Sequence, residues 1–344
     1  MYGKGQGASV IPNDYSDVKQ QVSTGSLPEK ARIEELLQDV HARYADIDEG
    51  MLAYYIPILG EVDPSLFAVA LSNVGGNVLC AGDVNYEFSI QSISKMFVYA
   101  LVLQELGHDA VRDYIGVNNT GMSFNSVMAI ELNEGHPMNP MVNAGALATA
   151  ALVPGQTAAE KWENIRECLS AFAGRHLKMD GEVYRSESRS NERNKALGRL
   201  LKAHGQLEGE PLEIVDIYTR QCALKVTAHD LAIMGSTLAD GGVNPVTGER
   251  VISADVCRDV LAVVATNGLY EKSGEWLFEI GIPAKSGVSG GIVAMAPGKG
   301  AIGAFSPLLD NAGNSVRSQL AIGHLSRALG LNLFASAPQR PATS

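Results

Sequence analysis

The sequence predicts an α+β protein in which an antiparallel sheet is assembled from both ends of the chain and a helical lobe is inserted between them. Three observations carry that expectation. Short apolar segments bounded by Gly and Pro occur near residues 67–81 and again at 282–305, as strands require. From about 110 to 250 the apolar residues recur at helical spacing behind Ser and Thr caps. No repeat and no linker divides the interior, so the 344 residues read as one unit with two lobes.

Residues 1–25, rich in Gly, Ser, Gln and Asp, are expected to be a mobile tail, and 335–344 a second tail. A single domain then spans 26–334. Its sheet lobe covers about 26–110 and 250–334, and its helical lobe about 111–249. Ser26 and Glu29 read as a capping box before the stripe Ile33, Leu36, Leu37, Val40 and Tyr44. Phe67 to Ser72 and Val78 to Ala81 read as strands turned at Gly75-Gly76. The apolar run Ile93 to Leu103 is too hydrophobic for a surface helix.

In the middle of the chain, Thr157 and Glu160 cap a helix carrying Trp162, Ile165, Leu169 and Phe172. Glu192 to His204 and Leu212 to Cys222 are two more. Thr227 and Asp230 open another, closed by Gly241-Gly242, and Ser253 begins a helix ending near Gly268. Ile282 to Lys285, Gly291 to Ala296 and Ala301 to Phe305 suggest an antiparallel meander. A last helix, Ser315 to Leu329, covers one face.

Whole-chain quantities exclude several functions. A formal net charge of -11 argues against nucleic acid, since phosphate binding needs clustered Lys and Arg. Cys80, Cys168, Cys222 and Cys257 are widely spaced without a C-x-x-C, and read as free, mostly buried thiols of a reducing compartment. The N-terminus lacks the apolar core of a signal peptide, and no run reaches the roughly 18 apolar residues of a membrane span. A cytoplasmic protein is expected. The histidines are scattered and give no metal spacing, so neither metal nor cofactor is expected.

Ser92 and Lys95 carry the chemistry. Three residues apart on a helix, they share a face. A lysine desolvated in an apolar pocket can lose its proton and become the base that activates a serine. The spacing is not unique, because Ser16 and Lys19 repeat it in a polar stretch with no apolar helix behind. Lys285-Ser286-Gly287, on a late strand, resembles the Lys-Thr/Ser-Gly element of serine acyl-enzymes of the β-lactamase type. Lys272-Ser273-Gly274 repeats the letters in a polar loop expected at the surface. The middle element of that class, Ser-Asp-Asn or Tyr-x-Asn, has its nearest match in Ser123-Phe-Asn125, read as loop.

Two rival motifs fail on context. Gly298 to Gly303 fits G-x-G-x-x-G, but strands flank it on both sides, so it reads as a hairpin turn. Gly287-Val-Ser289-Gly-Gly291, with Asp310 and His324 following, fits a nucleophile elbow. A strand rather than a helix follows the serine, and no crossover fits in the interval.

Six blocks taken together resemble the serine-dependent glutaminase family. They are Gln-Ser92-x-x-Lys95, Asn-Pro-Met-Val-Asn143-Ala-Gly-Ala, Ser-Glu187 followed by Arg-Asn194, Asp-x-Tyr218-x-x-Gln-Cys, Asn-Gly-Leu-Tyr270, and Ala-Lys-Ser-Gly-Val288-Ser-Gly-Gly-Ile. Tyr-Ile-Pro, with Tyr55, also resembles an early family segment, and the match runs from about residue 28 to 334.

The resemblance implies a β-lactamase/transpeptidase-like fold and hydrolysis of L-glutamine to L-glutamate and ammonia. It implies Ser92 as nucleophile and Lys95 as base, with the Ser92 and Val288 amides as oxyanion donors. Tyr270, with or without Tyr55, relays protons. Glu187 would take the α-ammonium, and Asn143, Asn194 and Tyr218 the neutral polar contacts, with Lys285, Ser286 and Gly287 in support. A homodimer or homotetramer is implied as well. A β-lactamase or penicillin-binding acyl-enzyme, and a non-catalytic amino-acid-binding relative, remain as alternatives at this level.

Overall fold

A computed structural model describes residues 14, 15, 17–21 and 25–337. Strands β1 (Ala68–Asn73) and β2 (Val78–Gly82) come from the N-terminal end. Two short strands follow, β3 (Phe88–Ser89) and β4 (Lys225–Val226), which pair with each other. Strands β5 (Ala284–Ser286), β6 (Gly291–Ala296) and β7 (Gly300–Phe305) come from the C-terminal end. The main sheet has the order β2-β1-β7-β6-β5, and every pairing in it is antiparallel. The β1–β7 ladder, from Ala68↔Phe305 to Asn73↔Gly300, joins the two ends of the chain. The expected sheet and meander are both present.

The sheet is buried on both faces, so its strands read as nearly continuous apolar runs. Helices Lys30–Tyr44 and Val316–Ala328 cover one face, and helix Ala228–Ala239 covers the other. That last contact is close because both surfaces carry glycine. A Cβ on Gly303 would stand 2.3 Å from the Ala228 carbonyl oxygen, and one on Gly235 would stand 2.6 Å from Val293.

Helix Ser94–Leu106 packs against Asn143–Leu152, Ala158–Ala173 and Ala254–Asn267, and its residues are buried from Ser94 through Ala100. Phe97 meets Phe172 there with ring centroids 4.8 Å apart. A helix apolar on every side is stable only in such a place, where each large side chain removed from water contributes about 1.5–3 kcal/mol.

Several expectations need correcting. The first helix begins at Lys30 with Glu29 at its N-cap, and no side chain caps it, so the Ser26–Glu29 capping box does not form. Pro28 holds the residue before it out of the helical region, which delays the start. The capping boxes at Thr157–Glu160 and Thr227–Asp230 do form. Residues 14, 15 and 17–21 of the expected mobile tail are partly docked. Tyr15 is fully buried, with the Arg327 guanidinium 5.5 Å from its ring centre. Ser16 lies outside the described residues, as do 1–13, 22–24 and 338–344.

Lys272 is not a surface loop residue either, for its ammonium bonds Asp310 at 3.0 Å and both side chains are largely buried. Residues 297–299 form the β6–β7 hairpin turn, with Gly298 at φ 74°, while Gly300 to Gly303 of the stretch read as a turn already belong to β7. All four cysteines are free, Cys222 and Cys257 buried and the other two partly so. Among the described residues, no helix is long and apolar enough to cross a membrane.

Candidate active site

Ser92 sits in a 3₁₀ turn, Gln91–Ile93, that runs directly into helix Ser94–Leu106. The expected α-helical start is therefore one turn tighter. In 3₁₀ geometry residues i and i+3 eclipse, which keeps Ser92 and Lys95 on one face. The turn is entered at Gln91, whose φ of 51° is left-handed, a conformation that costs a non-glycine residue on the order of 1 kcal/mol. Two bonds hold it there: the Ile90 amide donates to Leu224 O at 2.8 Å, and the Ser94 hydroxyl donates to Gln91 O at 2.7 Å.

Lys95 is 1% exposed. Its Nζ donates to Met141 O at 3.0 Å and to Asn143 Oδ1 at 2.7 Å, and no carboxylate bonds it. Burial without a counter-ion lowers its pKa to about 8. A neutral amine has two N–H bonds, and these two acceptors match them, which leaves the nitrogen lone pair free to take a proton. From Asn143 an amide chain continues outward. Asn143 Nδ2 donates to Asn194 Oδ1 at 2.9 Å, Asn194 Nδ2 to Asn191 Oδ1 at 2.6 Å, and Asn191 Nδ2 to the Thr219 hydroxyl at 2.6 Å.

Lys285, fully buried on β5, repeats the arrangement. It donates to Gly268 O at 3.0 Å and Ser286 O at 2.8 Å, and lies 4.6 Å from the centre of the Tyr270 ring. Burial first, and the charge of Lys95 second, push its pKa far down. Tyr270 also has a left-handed φ, 55°. Its hydroxyl donates to Ser286 O at 3.4 Å, and burial drives its pKa up. The β5 end meets the Ser92 turn through Gly287, where a Cβ would stand 2.9 Å from Ile90 O. Glycine at 287 lets the two backbones approach and brings Val288 beside Ser92.

Ser92 opens onto a cavity of about 180 Å³. Of the residues anticipated from sequence, Tyr55, Asn143, Glu187, Asn194, Tyr218 and Val288 line it. Lys95, Tyr270, Lys285 and Ser286 are buried around Ser92 instead of facing that cavity. Tyr55 is 62% exposed and stands at the rim. The polar stretch around Glu187 forms helix Gly181–Arg189, and Glu187 lines the cavity from it. Gln91 Nε2 donates to Glu187 Oε1 at 2.5 Å. Burial dominates and raises the Glu187 pKa to about 7.

Sequence reasoning missed Gln91, Phe124, Asn125, Asn191, Arg193 and Cys222, which line the same cavity. Two signals were available. Gln91 immediately precedes the nucleophile candidate, and Ser123-Phe-Asn125 is the nearest match to the middle element of serine acyl-enzymes. The latter is loop, as read, but Phe124 lies 4.9 Å from the Tyr270 ring, and Lys95 Nζ lies 5.9 Å from the Phe124 ring. The elbow candidate places nothing here: His324 bonds the Tyr44 hydroxyl at 3.1 Å, and Asp310 bonds Lys272. Among the described residues, no three His, Cys, Asp or Glu side chains stand together as metal ligands would.

Comparison with known proteins gives a consistent result. The glutaminase family model matches residues 50–334. Glutaminase 2 of Yersinia pestis is 49% identical over 330 residues, 95% of this chain and 97% of that protein. The glutaminase of Brucella suis biovar 1 is 50% identical over 285 residues, 83% of this chain and 90% of that one. Among solved structures, the probable glutaminase ybaS has a TM-score of 0.88 at 41% identity, covering 90% of this chain and 100% of its own. A probable glutaminase from Bacillus subtilis complexed with 6-diazo-5-oxo-L-norleucine has a TM-score of 0.81 at 34% identity, covering 90% of this chain and 98% of its own.

Proposed function

Because the chain belongs to the glutaminase family, with its β-lactamase-like fold, its reaction is hydrolysis of L-glutamine to L-glutamate and ammonia, and we propose that this runs through a Ser92 acyl-enzyme. One observation supports the proposal above others. A serine opening onto an amino-acid-sized cavity stands one turn from a buried lysine whose two N–H bonds already have acceptors.

Glu187 receives the α-ammonium, and Asn143, Asn194 and Tyr218 supply neutral contacts to the carboxylate and side-chain amide. Ser92 Oγ attacks the amide carbon as Lys95 takes its proton. The oxyanion accepts from the backbone N–H groups of Ser92, at the open end of its 3₁₀ turn, and Val288; one such donor is worth about 3 kcal/mol of barrier. Tyr270, buried beside Ser92, passes the proton to the departing ammonia. Tyr55, at the rim, contacts the bound substrate. Lys285, Ser286 and Gly287 hold Tyr270 and Val288 in place. Water then cleaves the ester by the same relay in reverse.

Residues 26–334 act as one catalytic unit, since the site draws on both lobes. The four free thiols fit a cytoplasmic setting. A homodimer or homotetramer is the assembly that the family likeness implies.

The pH profile tests the base. Lys95 works only when neutral and Glu187 binds only when charged, so both changes favour the alkaline side. The kcat for ammonia release should rise through about pH 8 and level off near pH 9, and kcat/KM should fall further below pH 7. A kcat independent of pH between 6 and 9 would remove Lys95 as base.

Glu187→Gln separates binding from chemistry. It removes one charge-assisted bond, so KM for glutamine should rise by about 10- to 100-fold while kcat falls much less. An unchanged KM would place the α-ammonium elsewhere.

A further inference from the structure

A second cavity, of about 410 Å³, adjoins the first. Tyr55, Phe124, Asn125 and Val288 line both cavities, so the two share a wall. Its remaining walls are mainly the apolar Met51, Leu52, Ala53, Leu309, Ala312 and Gly313, with the polar Asp310 and Asn311 between them.

The backbone fixes these walls. Met51 and Leu309 exchange two hydrogen bonds, both 2.9 Å. Asp310 accepts from Lys272 Nζ at 3.0 Å and from the Ala312 amide at 2.8 Å, which ties the 310–313 turn to the turn that carries Tyr270. Gly313, at φ 92°, closes on the site: a Cβ there would stand 3.7 Å from Tyr270 Cε2 and 3.7 Å from Val288 Cγ1. Ala53, Leu309, Tyr270 and Val288 belong to one apolar cluster. The chamber thus borders the groups assigned to the leaving nitrogen and the oxyanion. Glu187 and Asn194, assigned to the amino-acid head, line only the first cavity.

We propose that this chamber takes the N-substituent of γ-glutamyl amides, so that the enzyme also hydrolyses N-alkyl L-glutamines to L-glutamate and a primary alkylamine. The inference rests on the substrate orientation given under Proposed function. Its mainly apolar walls select an uncharged alkyl chain over a charged one, because the one carboxylate on the wall, Asp310, is already paired with Lys272. The bonds balance as they do for glutamine. Ser92 Oγ bonds the γ-carbonyl carbon, the C–N bond breaks, and the hydroxyl proton ends on the departing nitrogen as R–NH₂. Water then adds to the ester carbon, the C–Oγ bond breaks, and Ser92 regains its proton. Glutamine itself leaves the chamber unused.

The experiment measures ammonia or amine release from L-glutamine, its γ-ethylamide and its γ-butylamide by wild type and by Ala312→Trp, which puts an indole into the chamber from the rim. Wild type should turn over both alkylamides at a kcat/KM within about tenfold of glutamine, with the butylamide ahead by up to about fourfold per added methylene. Ala312→Trp should leave glutamine within about twofold and reduce the butylamide at least tenfold. Asn311→Trp, on the exposed lip of the same chamber, makes the same comparison where Ala312→Trp does not fold. Wild type that hydrolyses glutamine but releases no alkylamine overturns the inference, as does a tryptophan variant that slows all three substrates equally. Failure on glutamine itself would instead overturn the orientation beneath it.

Discussion

Ser92→Ala should lower ammonia release from L-glutamine by about 10⁴-fold or more, the scale of loss when the nucleophile of an acyl-enzyme is removed. The cavity shows no substitute. Cys222 also lines it, but that thiol is fully buried and its pKa is pushed up to about 12, so almost none is the reactive thiolate at neutral pH. The substitution deletes one hydroxyl, and the left-handed φ in the turn belongs to Gln91 rather than to 92. The variant should fold, bind glutamate and melt within a few degrees of wild type. A folded Ser92→Ala protein keeping more than about 1% of the rate would sink the acyl-enzyme mechanism.

Lys95→Met should separate activity from stability. Removing the base costs on the order of 10³-fold in kcat. Stability should move the other way or stay level. Lys95 titrates near 8 when folded and near 10.5 when unfolded, so the unfolded chain holds the proton more tightly. By linkage, keeping this lysine buried costs about 3 kcal/mol below pH 8, and the cost fades as pH rises from 8 to 10.5. Methionine removes that cost, but it strips Met141 O and Asn143 Oδ1 of a donor, which offsets about 1–3 kcal/mol. Thermal melts at pH 7 should therefore show Lys95→Met no less stable than wild type, with the difference moving toward wild type at pH 10. A variant that keeps its rate, or melts far lower at pH 7 and not at pH 10, contradicts the account.

Some of this site was legible in the chain because its determinants are local. The eclipsed spacing of Ser92 and Lys95, the caps at Thr157 and Thr227, and the glycine at 287 act over a few residues. Other features were not. Ser123-Phe-Asn125 is loop by any local rule, yet the fold lays Phe124 against Tyr270 and Lys95. The polar run around Glu187 gives no local sign of burial, because nothing near it in the chain reports the cavity it faces. The Ser26 cap failed because Pro28 outweighed a pattern read in isolation.

By itself the sequence determined the pairing of Ser92 with Lys95, the sheet drawn from both ends of the chain, and the order of its elements, since periodicity, caps and turns are written in near neighbours. Only the tertiary structure decided the chemistry of those groups. Helix Ser94–Leu106 had to be enclosed on every side before Lys95 lost water and its pKa fell to about 8. Helix Gly181–Arg189 had to face the cavity before Glu187 rose to about 7. Desolvation depends on what surrounds a group in space, and residues far apart in the chain supply those surroundings.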